Sequence, residues 1–198
     1  MRADAAVAGV IVAGGAASRL GGEKPFLPFR GATLLDSVIA RVRPQVAALA
    51  LNLREDAHAN YDLAILTDTI AGRPGPLAGI VAALEWAAAQ PGVTWLATFP
   101  CDTPFLPENL VATLRAAATR AVPVVAHDGT AMQNLCALWP LGCVDYLRVA
   151  VQSRGLRRLG EAERELGAIA CSVAAPAHAF FNVNTPEDLA EAERLATS

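Results

Sequence analysis

Apolar runs with strand character recur through the first 130 residues, separated by segments of helical spacing. They are Val7–Ala13, Val46–Leu53, Ala64–Leu66, Trp95–Phe99 and Val122–Ala126. They are apolar at consecutive positions rather than alternate ones, so such strands must be covered on both faces. Between them, Leu34–Val42 places Leu34, Leu35, Val38, Ile39 and Val42 on one side and is stopped by Pro44. Leu77–Ala89 is a second helical segment, closed by Pro91-Gly92. Pro107 is expected to open a third at its first turn, where a missing N–H costs nothing. The expectation is an α/β fold, a Rossmann-like three-layer α/β/α sandwich with a mainly parallel sheet. A chain of 198 residues suits one domain.

The pattern changes after residue 130. Leu135–Trp139 has strand character, Val144–Val151 helical character, and Arg154–Leu166 reads as a charged, solvated helix. Ile169–Val173 and Phe180–Val183 read as short strands. Thr185-Pro186-Glu187-Asp188 starts a final helix, with Thr185 as N-cap, Pro186 at the first position and two acids at the positive end of the dipole. The loops Ala71–Pro76 and Asp128–Asn134 are the expected mobile segments.

A net charge of −3 argues against sequence-independent nucleic-acid binding, which needs a basic surface. No apolar run reaches the roughly 18 residues of a membrane helix, so no membrane association is expected. The N-terminal apolar run is interrupted by Asp4 and by glycines, and reads as a first strand rather than a signal peptide. The four cysteines, Cys101, Cys136, Cys143 and Cys171, contain no Cys-x-x-Cys pair and sit among apolar neighbours. They read as buried, reduced thiols of a cytoplasmic protein.

Four segments carry chemistry. Gly14-Gly15-Ala16-Ala17-Ser18-Arg19-Leu20-Gly21-Gly22-Glu23-Lys24 directly follows the first strand. Its glycines let backbone N–H groups turn around phosphate oxygens, Arg19 offers a forked donor and Lys24 a mobile point charge. It matches neither Gly-x-Gly-x-x-Gly nor the P-loop pattern. Alone, it reads equally as a glycine turn with two surface cations. Asp102, in Phe99-Pro100-Cys101-Asp102-Thr103-Pro104, is delivered to the carboxyl end of a buried strand, where open α/β sheets bind ligands. A Mg²⁺ held by one carboxylate and substrate phosphates suits that place, and a simple turn-forming Asx residue suits it too. Asp68 precedes Gly72-Arg73-Pro74-Gly75-Pro76-Leu77-Ala78-Gly79, a shaped loop running into a helix N-terminus. In Phe181-Asn182-Val183-Asn184, two asparagines project from one face of an extended segment. The glycine-rich loop, Asp68 and Asp102 each follow an expected strand, so all three meet along one sheet edge. That arrangement suits a nucleoside triphosphate and a divalent metal.

Ala13-Gly14-Gly15, Ser18-Arg19-Leu20-Gly21 and Lys24 resemble the opening signature of the nucleotidyltransferase superfamily. Pro74-Gly75-Pro76-Leu77-Ala78-Gly79, Cys101-Asp102-Thr103-Pro104 and Phe181-Asn182-Val183-Asn184-Thr185-Pro186 narrow the resemblance to the molybdenum cofactor guanylyltransferases, the MobA family. Val12, Leu20 and Glu23 depart mildly from its pattern, and Gln133-Asn134 stands where the family carries His-Pro or Gln-Pro. The resemblance implies transfer of GMP from GTP to the phosphate of molybdopterin, with Mg²⁺ and release of pyrophosphate. It implies a nucleotide-binding half at 1–130 and a pterin-side half at 131–198. By the same resemblance Val12, Ala13, Gly14, Asn52 and Asp68 hold the nucleoside, Arg19 and Lys24 its phosphates, Asp102 the metal, and Asn182 and Asn184 the pterin. Cofactor-delivery proteins or apo-molybdoenzymes are implied as partners of a protein read as a monomer. Two rivals stand beside this reading: a cytidylyltransferase using CTP on the same fold, and a non-catalytic nucleotide or cofactor carrier. Retention of Lys24 and Asp102 argues against the carrier.

Overall fold

In the computed structural model the described residues are 6–13, 24–53, 61–68, 70 and 75–197. The first strand, β1 (Ala6–Val12), lies inside the main sheet, with a strand on either side of it. A small hairpin follows, β2 (Pro28–Phe29) and β3 (Ala32–Thr33), and leads into α1 (Leu34–Val42). Then come β4 (Ala48–Asn52), β5 (Ala64–Leu66), α2 (Pro76–Ala88), β6 (Val93–Pro100) and α3 (Leu110–Ala117). The second half adds β7 (Val124–His127), β8 (Met132–Pro140), α4 (Val144–Arg154), α5 (Leu159–Glu165), β9 (Ile169–Ser172) and α6 (Pro186–Leu195).

Seven of the strands form one sheet in the order β5-β4-β1-β6-β8-β7-β9. The pairs β5–β4, β4–β1, β1–β6 and β7–β9 are parallel; β8 runs antiparallel to both β6 and β7. The sheet is therefore mainly parallel, as expected, with one reversed strand inside it. Strand alternation divides the core between two faces. Ile11, Ala97 and Phe99 pack with Leu35 and Val38 of α1 and Leu110 and Leu114 of α3. Ala8, Val10, Val12 and Leu96 pack with α2, α4 and α5 through Ile80, Leu84, Leu147 and Leu159. Trp139, fully buried on β8, donates its indole N–H to Thr98 Oγ1 at 3.1 Å, so the reversed strand buries no unpaired indole donor.

Leu34–Val42 folds with its expected bounds, and a capping box between Thr33 and Asp36 fixes its start. Thr185 caps α6 as expected, with Pro186 at the first position and Asp188 closing the reciprocal bond. Four expectations are corrected. Pro107 lies in a turn before α3, which begins at Leu110; Gln45 bridges that turn, donating to Pro107 O and accepting from Val111 N, both at 2.9 Å. Arg154–Leu166 is not one helix, because Gly155 adopts φ +67° and ends α4. Within that segment Glu163 is buried rather than solvated, at 4% exposure. Phe180–Val183 forms no strand: it is a turn running into extended chain, tied by the Val183 N–H to Asp102 O at 2.9 Å.

The Asp128–Asn134 connection, expected to be mobile, is pinned. Asp128 Oδ1 accepts from Thr130 N, Thr130 Oγ1 and Ala131 N, and Gln133 donates to its Oδ2 at 2.7 Å. These donors hold its carboxyl well below the usual carboxylate range. All four cysteines are free and buried.

Candidate active site

The carboxyl ends of three neighbouring parallel strands make the floor of the site. In register, Val12 of β1 lies opposite Asn52 of β4 on one side and Pro100 of β6 on the other. At about 4.8 Å per strand, the ends of β4 and β6 stand about 10 Å apart. Two groups of side chains flank Val12 across that span.

The first group lies beyond β4. Asn52 is 1% exposed, and its amide is engaged: Nδ2 donates to Leu66 O at 3.3 Å and to Asp68 Oδ1 at 3.1 Å. Its backbone carbonyl accepts from Ala13 N at 2.8 Å. In this arrangement Asn52 orients Asp68, and the exposed Asp68 carboxylate is the acceptor that faces outward. The helix α2 presses against Asn52 through Gly79. A Cβ at that position would lie 2.1 Å from Asn52 Oδ1 and 2.6 Å from its Cγ. The glycine of the Pro-Leu-Ala-Gly segment is thus explained by the close approach of a helix to an amide.

The second group lies beyond β6. Lys24 Nζ is 2.5 Å from Asp102 Oδ2 and 2.6 Å from Asn184 Oδ1. Thr103 Oγ1 donates to Asn182 Oδ1 at 2.5 Å and lies 3.3 Å from Asp102 Oδ1. Lys24, Asp102 and Asn184, separated by 78 and 160 positions from Lys24, therefore meet at one point. A small apolar cluster of Phe29, Leu34, Phe105, Val183 and Ala192 joins the hairpin, the start of α1, the segment after β6 and α6. Asp188 Oδ2 accepts from Asn184 N and Thr185 N at 2.9 Å, so the cap of α6 also sets Asn184. Thr103, 1% exposed, is a positioning residue that spacing did not single out. Only its place beside Asp102 pointed to it.

Gly14, expected to line the nucleotide, and Arg19, expected at its phosphates, lie outside the described residues. Val12 and Ala13 line the junction between the two groups, the first 7% exposed and the second half-buried. Among the described residues no three His, Cys, Asp or Glu side chains gather as a metal cage. The donor set is one part-exposed carboxylate, Asp102, with a cation already drawn to it. That fits a Mg²⁺ completed by phosphate oxygens and water, and not a closed protein site. Cys101, beside Asp102, has its thiol pushed up to about 12 by burial and then by the Asp102 charge. It stays a thiol at neutral pH and supplies no nucleophile.

A mainly parallel Rossmann-like sheet with Lys24, Asp102 and Asp68 gathered at its carboxyl edge has the α/β nucleotidyltransferase fold. The family model described as "MobA-like NTP transferase domain" matches residues 9–167. The chain belongs to that family. It is 41% identical over 196 residues to a molybdenum cofactor guanylyltransferase of Nitrobacter hamburgensis, covering 95% of this chain and 93% of that protein. It is likewise 41% identical over 194 residues to one from Rhodopseudomonas palustris, covering 94% and 92%. Among solved structures, the molybdopterin-guanine dinucleotide biosynthesis protein A of Archaeoglobus fulgidus superposes with a TM-score of 0.79. That match covers 96% of this chain and 98% of the other at 22% identity, a likeness of fold.

Proposed function

We propose that the protein transfers GMP from GTP to the terminal phosphate of molybdopterin and releases pyrophosphate. The observation that carries this reading is the meeting of Lys24, Asp102 and Asn184 at the end of β6, about 10 Å across Val12 from the Asn52–Asp68 pair. The span separates a place for the base and ribose from a place for the phosphates. The relatives' name, molybdenum cofactor guanylyltransferase, supports a guanylyl group as the part transferred and the molybdenum cofactor as its acceptor.

The exposed Asp68 carboxylate accepts from the N1–H and exocyclic amine of guanine, two donors on one edge. Asn52 keeps that carboxylate oriented. Lys24 supports the triphosphate, and Arg19 the charge that builds on the leaving pyrophosphate. Asp102 holds a Mg²⁺ that neutralises phosphate charge when bound. Asn182 and Asn184 hold the acceptor so that its phosphate oxygen lies in line with the α-phosphate; that oxygen attacks and pyrophosphate leaves. Positioning and charge neutralisation are the main contributions in such a transfer. The protein acts as a monomer and hands its product to cofactor-delivery proteins or apo-molybdoenzymes.

The test uses GTP labelled in the α- or γ-phosphate, incubated with Mg²⁺ and molybdopterin. Label from the α-position should enter the pterin product, and label from the γ-position should appear only in pyrophosphate. No transfer from either, with nucleotide still bound, would make the protein a carrier.

A further inference from the structure

Lys24 has a task in the free protein that its phosphate role does not require. Its ammonium sits between two oxygens, Asp102 Oδ2 at 2.5 Å and Asn184 Oδ1 at 2.6 Å. A carboxylate and an amide carbonyl are the oxygen types that bind hard divalent cations. The side chains of Lys24 and Asp102 are 15% and 19% exposed, so water screens their pairing only in part. We propose that Lys24 occupies the divalent-cation position on Asp102 and Asn184 until nucleotide phosphates draw the ammonium away, so that the metal enters with or after the nucleotide. The inference rests on Asp102 being the metal ligand.

The balance of ligands explains the order. A divalent cation arriving alone must displace Lys24 and gains one carboxylate and one neutral carbonyl. A cation arriving with a triphosphate also gains phosphate oxygens. At the same moment the ammonium gains an anionic partner in place of the one it gives up. The local structure permits the exchange. Lys24 opens a short 3₁₀ turn, Lys24–Phe26, whose Pro25 is buried, so the backbone is anchored while the four-carbon stem swings. Once the cation holds Asn184 Oδ1 in place of the ammonium, the Asn184 amide Nδ2 remains to donate to the acceptor.

The experiment is Mn²⁺ binding to the full chain, followed by electron paramagnetic resonance with no nucleotide or molybdopterin present. Lys24→Met removes the charge and keeps most of the bulk. It should bind Mn²⁺ at least about tenfold more tightly than the wild type, the worth of one charge-assisted hydrogen bond. Adding Asp102→Asn to that variant should abolish the gain, and Lys24→Arg, which keeps the charge, should show none. Unchanged or weaker Mn²⁺ binding by Lys24→Met, or a gain that survives Asp102→Asn, would overturn the proposal. A second arm adds GTP and compares wild type with Asp102→Asn. Equal Mn²⁺ affinity there removes Asp102 as the ligand, and the proposal with it. Failure of the first arm alone removes only the competition by Lys24.

Discussion

Glu163 offers a quantitative check on the packing of the second half. It lies on α5, 4% exposed, and its Oε1 has no hydrogen-bond partner. Burial pushes its carboxyl up from 4.5 to about 7. A raised carboxyl favours the protonated folded state. Its contribution is fully present below the unfolded value of 4.5 and is lost as pH rises through about 7. A shift of about 2.5 units at about 1.36 kcal/mol each corresponds to about 3 kcal/mol lost across that window. Glu163→Gln has no such titration. The assay is urea unfolding of wild type and variant at pH 4.5 and pH 8, followed by circular dichroism. Groups elsewhere titrate alike in both proteins and cancel in the difference. The variant should gain about 3 kcal/mol on the wild type between the two pH values, whatever the fixed cost of the amide. A difference that does not change with pH would mean that the Glu163 carboxyl is solvated, and the burial argument would fail.

Three substitutions probe the site. Asp102→Asn should leave urea unfolding nearly unchanged and remove most turnover with Mg²⁺, because an amide is a weaker ligand for a hard cation; unaltered magnesium dependence would count against the assignment. Lys24→Ala should weaken GTP about ten- to a hundredfold while sparing GMP more, measured by calorimetry; equal losses would place Lys24 away from the outer phosphates. Gly79→Ala should cost about 1–3 kcal/mol and weaken GTP binding, because the new methyl must push Asn52 from Asp68; an unaffected variant would show that Asn52 has room to move.

Much of the architecture was legible because it rests on local rules. Consecutive apolar residues marked strands covered on both faces, and Thr185-Pro186-Glu187-Asp188 marked the start of the last helix. Beyond β6, Asp102 was legible as a strand-end position, whereas its contact with Lys24, and that of Lys24 with Asn184, was not. The rest depends on tertiary context. Leu135–Trp139 is apolar throughout, so its pattern carries no sign of direction, and its antiparallel pairing appears only in the register with Trp95–Thr98. Phe180–Val183 has strand composition, but its Val183 N–H goes to Asp102 O rather than to a ladder. Glu163 sits in a charged stretch that reads as solvated, and only the packing of α5 on the sheet buries it. Asp128–Asn134 has loop composition, yet the Asp128 carboxylate satisfies four donors and fixes it.

The central claim is guanylyl transfer to molybdopterin. Its most direct measurement is kcat/KM for pyrophosphate release with GTP and with CTP, using one molybdopterin preparation and a blank without it. In the proposed site guanine would offer two adjacent donors to the Asp68 carboxylate, and cytosine would leave part of that site unpaired. Mismatch at a site that hydrogen-bonds its substrate gives discrimination on the order of 10⁴-fold. Release that requires molybdopterin and prefers GTP by that order is the expected result. Equal values or a preference for CTP would contradict guanylyl transfer, and release independent of molybdopterin would contradict the acceptor.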